Sequence, residues 1–219
     1  AKGFYDTRDA TVVTMLMVEE PEDEERRAEG FIWKVVGRRF YRNVESSKLK
    51  IYLSKLIDTW HPEQVTIDNT GIGYDMAVYL QNKYNDQIAP FNICALGKTR
   101  MGYGLMALAN SGRWQEYKVE GQSDYEYKPF KQGENDCEII EDPGELQRRF
   151  YKQLRYCRIE SSSDDGKLIK WGVPDGARDP ETGDLIHDDL VMSAALAALD
   201  DVEMNCGDSV FSTVTYPEN

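Results

Sequence analysis

The sequence is poor in the residues that build several common kinds of site. Among its 219 residues there are two histidines and four cysteines. The cysteines are Cys94, Cys137, Cys157 and Cys206, and no two of them form a CxxC pair. This spacing predicts neither a zinc ribbon nor a disulfide framework, and two histidines are too few for a histidine-rich metal centre. Sparse, unpaired cysteines are typical of a protein in a reducing cytosol.

Long apolar runs and a net positive charge are also missing. No segment has the pattern of a signal peptide or a membrane span, so we expect neither secretion nor a membrane partner. The formal net charge of −13 excludes a uniformly basic nucleic-acid-binding protein. Basic residues cluster locally, however, and a basic track on an acidic protein can still contact phosphates. The track that we favour for DNA binding is Arg148, Arg149 and Lys152, with an ordinary solvated helix face as the alternative.

The composition and the hydrophobic pattern predict one α/β domain over residues 1–219. Hydrophobic residues make up 41% of the chain, enough for a sizeable core. An acidic hairpin loop at 19–30 and a polar insertion at about 119–142 interrupt the pattern. The predicted elements are strands at 3–6, 10–18 and 31–41, a helix at 46–60, a strand at 63–68, a helix at 76–84, a strand at 89–96, helices at 99–112 and 142–154, a hairpin of 155–160 with 167–173, and a last helix that begins near residue 188.

The order of these elements predicts a mixed sheet. Three consecutive strands predict an antiparallel meander, and the strand–helix alternation after it predicts parallel strands. The fold class is therefore a mixed α/β sheet with helices on both faces.

The last helix begins with two acids in "LIHDDLVMSAALAALD" (185–200). Aspartate is a good N-cap and suits the positive end of the helix dipole, so capping alone is one explanation. One aspartate is enough for a cap, however, and here Asp188 and Asp189 both follow a histidine. The alternative is that this helix start binds a cation together with carboxylates from other elements.

A further acid, Asp68, ends the apolar strand "VTID" and is followed by Gly71 and Gly73. In open α/β sheets, ligands bind just beyond the carboxyl ends of the strands. The alternative is an aspartate that stabilises a turn. Asp6 and Asp9 lie beside the first strands. Acids from the first strand, the fourth strand and the last helix would meet over the sheet centre, where such clusters hold two divalent ions such as Mg²⁺ or Mn²⁺.

Other catalytic motifs are incomplete. "ALGKTR" (95–100) follows a predicted strand, but the glycine that a phosphate-binding loop needs is replaced by Asn92. "GIGYDM" (71–76) ends in Met76 where a dinucleotide-binding motif has glycine. The sequence therefore predicts neither ATP nor dinucleotide binding, and it has no GxSxG nucleophile motif.

Three segments resemble the nuclease domain of the large terminase subunit of tailed bacteriophages. They are "DATVVTML" (9–16), "VTIDNTGIG" (65–73) and "HDDLVMSAALA" (187–197). The resemblance extends over nearly the whole chain, loosely between 113 and 180. It implies a ribonuclease H-like fold in which three acids bind two Mg²⁺ or Mn²⁺ ions and cut double-stranded viral DNA during genome packaging.

The resemblance also implies roles for individual residues. Asp68 takes the place of the family's second acid, and Asp188 or Asp189 that of its helix acid; we favour Asp189 as the ligand and Asp188 as the cap. The usual position of the first acid holds Gly3. Asp6 is then the first candidate and Asp9 the second, and a residue upstream of Ala1 is the third. The predicted catalytic residues are Asp6, Asp68 and Asp189, and Asp188 joins them as a metal ligand.

The family's ATPase motor has no counterpart in this chain, and a patterned segment begins almost at Ala1. We therefore expect one domain of a longer protein. The resemblance implies as partners an ATPase motor domain, the small terminase subunit and the portal, in the cytoplasm of an infected host cell. Two alternatives stay open: another ribonuclease H-like nuclease, such as a Holliday-junction resolvase or a transposase-type enzyme, and a non-catalytic α/β binding domain whose acids only cap helices.

Overall fold

The computed structural model of the chain describes residues 10–23, 30–71, 73–119, 137–161, 168–199 and 201. Asp6, Asp9 and the predicted strand at 3–6 lie outside these ranges. The described residues form a mixed α/β fold with both antiparallel and parallel strand pairs and five α-helices, which confirms the predicted class at that level.

The largest sheet is built around strand β2. Strands β1 (Thr11–Glu19) and β2 (Ile32–Arg42) pair antiparallel, so the acidic segment connects two neighbouring strands. The other edge of β2 pairs in parallel with β5 (Trp114–Gln115) and antiparallel with β6 (Glu138–Ile140). Strand β6 lies in the segment 119–142, where the sequence pattern predicts an irregular insertion. Its pairing with the end of β2 gives that part of the chain a fixed place beside the core.

Two smaller sheets complete the strand pairing. Strands β3 (Val65–Asp68) and β4 (Ile88–Phe91) pair in parallel. Strands β7 (Arg158–Ser161) and β8 (Ile169–Gly172) form the antiparallel hairpin that the sequence predicts. The predicted strand at 89–96 is too long, because a helix already begins at Ala95. Cys94 occupies the N-cap position of that helix, and its sulfur accepts a hydrogen bond from the Gly97 amide.

The helices are α1 (Ser46–Trp60), α2 (Gly73–Tyr84), α3 (Ala95–Asn110), α4 (Pro143–Tyr156) and α5 (Asp189–Ala197). Helix α4 begins as its sequence predicts, because the Asp142 side chain accepts a hydrogen bond from the Glu145 amide and proline fills the first helical position. No helix of the described segments is long and apolar enough to cross a membrane.

Two hydrophobic clusters lie on opposite faces of the β1–β2 sheet. Phe40 packs into a cluster with residues of α3, α4 and α5, whereas its neighbour Tyr41 packs into a cluster with residues of α1 and α2. Successive side chains of a strand point to opposite faces. The described helices therefore cover both faces of this sheet.

Helix α5 is the central element of the first cluster. Its residues Leu190, Val191, Ala194 and Ala195 are almost completely buried. The helix packs against β1, β3, α3 and α4, so it contacts both the β1–β2 sheet and the β3–β4 sheet. Truncating a buried leucine to alanine typically costs about 2–5 kcal/mol. This packing makes the start of α5 a rigid reference point for the acids that it carries.

Candidate functional site

The start of α5 is capped by a side chain from a different helix. Gln153 of α4 is buried, and its Oε1 accepts hydrogen bonds from the Leu190 amide (2.8 Å) and the Val191 amide (3.3 Å). The first amides of a helix have no partner within the helix, so an external acceptor satisfies them. Neither acid of the pair is needed for that purpose.

Asp188 occupies the N-cap position, but its side chain makes no capping hydrogen bond. This corrects the expectation that Asp188 caps the helix through its carboxylate. Its Oδ2 instead accepts a long hydrogen bond, 3.4 Å, from the Val173 amide just after β8. The carboxylate lies against Gly172, whose backbone φ is 138°. Asp188 is thus directed toward the β7–β8 hairpin.

Asp189 is directed toward a different element. Its Oδ2 accepts a hydrogen bond of 3.2 Å from the Ala10 amide, one residue before β1. One turn later on the same helix face, the Ser193 hydroxyl bonds with the Thr14 hydroxyl at 2.9 Å. Successive helical residues point about 100° apart. The two acids therefore face different surroundings, Asp188 the hairpin and Asp189 the first strand.

Asp68 ends β3 and is partly buried. Its Oδ1 accepts hydrogen bonds from the Thr70 amide (2.9 Å) and the Thr70 hydroxyl (2.6 Å). This is the turn-stabilising role that aspartate often takes after a strand. A carboxylate has two oxygens and about four acceptor positions, so the turn does not use its full binding capacity. Helix α5 packs against β3, so Asp68 ends a strand that the acid-bearing helix contacts.

The ranges that the structure describes contain no group of three or more acidic, histidine or cysteine side chains close enough to hold a metal ion. Asp68, Asp188 and Asp189 are thus not gathered into one such group. Asp6 and Asp9 fall outside these ranges. The Asp189 carboxylate bonds to the amide of Ala10, the residue that directly follows Asp9 in the chain.

The favoured basic track on α4 is bound to carboxylates. Arg149 donates from Nε to Glu145 Oε1 at 2.6 Å and from Nη2 to Glu138 Oε1 at 2.9 Å. Burial alone would lower the pKa of Arg149, but these two carboxylates outweigh it and raise the pKa above its ordinary value. Arg148 pairs with Glu145 at 3.2 Å, and Lys152 pairs with the buried Asp179. DNA contact by these three side chains would compete with their present partners.

Other positively charged side chains lie on α3 and on the β7–β8 hairpin. Lys98 of α3 stacks its ammonium over the Trp171 ring at 5.5 Å from the centroid. Arg158 is the register partner of Gly172 in the β7–β8 hairpin, and its Nη1 donates to the Arg155 and Cys157 carbonyls. The pKa of the Cys157 thiol is raised to about 11, first by burial and then by the Asp188 charge, while Lys98 and Arg158 act in the opposite direction. All three charges are thus close enough to affect one thiol.

Comparison with known proteins adds no further assignment. No protein-family model, no curated protein and no solved structure matches this chain.

Sequence reasoning missed Gln153, Lys98 and Gly172 as neighbours of the acid pair. Gln153 lies in a predicted helix among basic residues, and nothing in its local pattern indicates a partner 37 positions away. Lys98 belongs to "ALGKTR", a motif that resembles an incomplete phosphate-binding loop and gives no sign of a neighbouring acid. Gly172 follows a tryptophan in the predicted hairpin, where an isolated glycine signals a close approach of another group. This glycine was the one feature of the sequence that indicated a neighbour of the acid pair.

Proposed function

We propose that this chain is a metal-dependent DNA endonuclease domain that cuts double-stranded viral DNA during genome packaging, of the kind found in the large terminase subunit of tailed bacteriophages. The segments at 9–16, 65–73 and 187–197 support the family. The mixed α/β sheet with its acid-bearing last helix is compatible with a ribonuclease H-like fold.

The observation that carries the proposal is the cap on α5. If Asp188 and Asp189 were present only to cap this helix, at least one carboxylate would accept a hydrogen bond from the first helical amides. Gln153 accepts those bonds instead, and the Asp188 side chain makes none of them. Capping therefore does not explain the two acids. Each accepts a hydrogen bond from a backbone amide outside the helix, Asp188 from Val173 and Asp189 from Ala10, and binding a cation is the use that we propose for their remaining acceptor positions.

Carboxylate oxygens are the ligands that Mg²⁺ and Mn²⁺ prefer, so the donor chemistry suits the two ions proposed here. Asp68 and Asp189 would hold them, Asp6 is the first candidate for the third acid, and Asp188 stays the alternative helix ligand. When bound, two such ions activate water and stabilise the leaving oxygen of a phosphodiester. The chain's own contribution is a rigid helix that keeps the Asp189 carboxylate at the start of β1.

The proposed substrate is double-stranded DNA. With a net charge of −13, binding by this domain alone would be weak and strongly salt-dependent. Lys98 lies near Asp188 beside Gly172, and Arg158 begins the same hairpin, so these two side chains are the proposed contacts to a phosphate backbone that reaches the acids. An ATPase motor domain, the small terminase subunit and the portal are the proposed partners, and the cytoplasm of the infected host cell is the proposed location.

One observation favours the non-catalytic alternative. Asp68 is engaged in a turn with Thr70, which would suffice to explain an aspartate at that position. A binding domain with structural acids would show no Mn²⁺ affinity. Another ribonuclease H-like nuclease would bind Mn²⁺ but prefer a branched or hybrid substrate over linear duplex DNA.

The test combines Mn²⁺ calorimetry with plasmid cleavage. We expect the wild-type chain to bind Mn²⁺ and to cut linear and supercoiled duplex, and Asp189→Asn to weaken Mn²⁺ binding by more than about tenfold and to lose cleavage. Asp86→Asn removes the same charge from an exposed turn and is the control, expected to behave as wild type. No Mn²⁺ binding by the wild type, or equal binding by Asp189→Asn, would refute the proposal. Faster cleavage of four-way junctions or RNA–DNA hybrids would reassign the substrate.

A further inference from the structure

We infer that Gln153 is a positioning residue that fixes the direction of Asp188 and Asp189, an inference that rests on the proposed function. Gln153 is 7% exposed and lies on α4, not on the helix that it caps. Its single oxygen holds the amides of Leu190 and Val191, the residues that directly follow the acid pair. A shift of this side chain would therefore shift the helix start on which both acids stand.

The chemical type of the cap matters as much as its position. A carboxylate cap would place a third negative charge beside Asp188 and Asp189, and like charges at short range oppose ionisation. An amide oxygen satisfies the same helical amides without adding charge. A glutamine cap thus adds no charge at the helix start, and neither of the two carboxylates is used for the cap.

The neighbour of Gln153 holds the segment that leads into α5. Lys152 pairs with Asp179, which is buried and also accepts a hydrogen bond from the Thr182 hydroxyl. Backbone hydrogen bonds from Asp179 to Asp184 and from Ile186 to Ala177 close the same loop. Two consecutive residues of α4 therefore hold both the loop before the acids and the helix after them. Helix α4 fixes the acid pair from both sides along the chain.

A purely structural role of Gln153 predicts a different result. Loss of a buried hydrogen bond to a helix start lowers the stability of the fold, wherever the helix points. If Gln153 did only that, the folded fraction of a variant would bind Mn²⁺ as the wild type does. A positioning role requires that Mn²⁺ affinity falls in protein that is still folded.

The chain offers a matched control for this distinction. Gln147 lies on the same helix, is 5% exposed, and donates from Nε2 to the Tyr117 carbonyl at 2.7 Å. Gln147→Met and Gln153→Met make the same chemical change in the same helix. The Gln153 side chain bonds to α5, whereas the Gln147 side chain bonds to Tyr117 in the segment after β5. Thermal unfolding, Mn²⁺ calorimetry well below the melting temperature, and kcat and KM on plasmid are measured for both.

We expect Gln153→Met to weaken Mn²⁺ binding by about tenfold or more and to lower kcat with little change in KM for DNA. Gln147→Met should lose stability but keep wild-type Mn²⁺ affinity. Gln153→Glu keeps an acceptor of the same length but adds the negative charge that the amide avoids, so its Mn²⁺ affinity should lie between those of Gln153→Met and the wild type. If Gln153→Met does not fold, Gln153→Asn, one methylene shorter, takes its place with the same expected loss.

Two outcomes overturn the inference while the proposed function stands: Mn²⁺ affinity unchanged in Gln153→Met or Gln153→Asn, or an equal loss in Gln147→Met. The failure of the proposed function looks different, because then the wild type does not bind Mn²⁺ or Asp189→Asn binds it equally well. In that case the inference falls with the function on which it rests.

Discussion

The carboxylate of Asp188 occupies the space that a side chain on Gly172 would fill. A β-carbon built on Gly172 would lie 2.4 Å from Asp188 Oδ2 and 3.5 Å from the Lys98 ammonium nitrogen. The backbone φ of Gly172 is 138°, a conformation that residues with a side chain rarely adopt. Glycine at the end of β8 therefore allows the side chains of Asp188 and Lys98 to approach the same stretch of backbone.

Gly172→Ala is expected to displace the Asp188 carboxylate and to strain the backbone, at a cost of about 1–3 kcal/mol in the free energy of unfolding. Mn²⁺ affinity should change by no more than a few-fold, because Asp189 and not Asp188 is the proposed ligand. Urea unfolding and calorimetry measure the two effects. Gly112→Ala is the control, since Gly112 has φ 70° with nothing near its missing β-carbon. A tenfold loss of Mn²⁺ affinity specific to Gly172→Ala would make Asp188 the ligand.

Charge changes beside the acid pair should weaken DNA binding more than charge changes on α4. Lys98→Gln with Arg158→Gln removes two charges from the surroundings of Asp188, and each lost phosphate contact should reduce the salt slope of binding by about one. Arg148→Gln with Arg149→Gln should have the smaller effect, because these arginines are paired with Glu138 and Glu145. Fluorescence anisotropy with duplex DNA across a salt series compares the pairs. The reverse ranking would return the DNA track to α4.

Cys157 should react slowly with alkylating reagents at pH 8. Its pKa of about 11 leaves little thiolate at that pH, and the thiolate is the reactive form. Cys94 and Cys137 are exposed and should be modified before Cys157. Because the Asp188 charge raises the pKa of Cys157, Asp188→Asn should lower it and speed the reaction between pH 8 and 11. Iodoacetamide labelling with peptide mass spectrometry gives the rates. Equal rates in the wild type and Asp188→Asn would mean that Asp188 does not act on this thiol.

The Lys152–Asp179 pair should make stability depend on pH in the acid range. The hydrogen bond from Lys152 lowers the pKa of Asp179, so the folded state binds this proton less readily than the unfolded chain. The stabilisation is complete above the ordinary carboxyl pKa of about 4 and is lost as the pH falls below it. The melting temperature of Lys152→Met should thus be lower than that of the wild type at pH 7, with a difference that shrinks below about pH 4. A constant difference down to pH 2 would contradict this account.

Local signals explain which elements the sequence predicts well. Helix α1 was expected at 46–60 and occupies that range, because its apolar stripe is long and regular. Helix α4 begins at its Asp142 cap and Pro143. The strands β5 and β6 were missed, since two or three residues are too few to show a period. The strand before α3 was drawn too long, because the run after Phe91 is apolar although Cys94 already caps a helix.

The sequence likewise predicts only part of the candidate site. The acids at 188 and 189 are visible in the sequence because two charges at the start of an apolar helix are conspicuous. The different surroundings of the two acids are not visible in the sequence, because they depend on which elements the folded chain brings to each carboxylate. Val173, Ala10 and Gln153 approach this helix start from 15, 179 and 37 positions away. Contacts of that kind are made by tertiary packing and leave no trace in a local pattern.

The bond between Ala10 and Asp189 spans 179 positions of the chain. At a synthesis rate of about 5–20 residues per second, the first strand waits roughly ten to forty seconds for the helix that completes its surroundings. A polypeptide interrupted before residue 188 contains β1 through β8 but neither acid of the pair. During synthesis, the Ala10 amide therefore cannot meet the Asp189 carboxylate until the last of the described helices has begun to form.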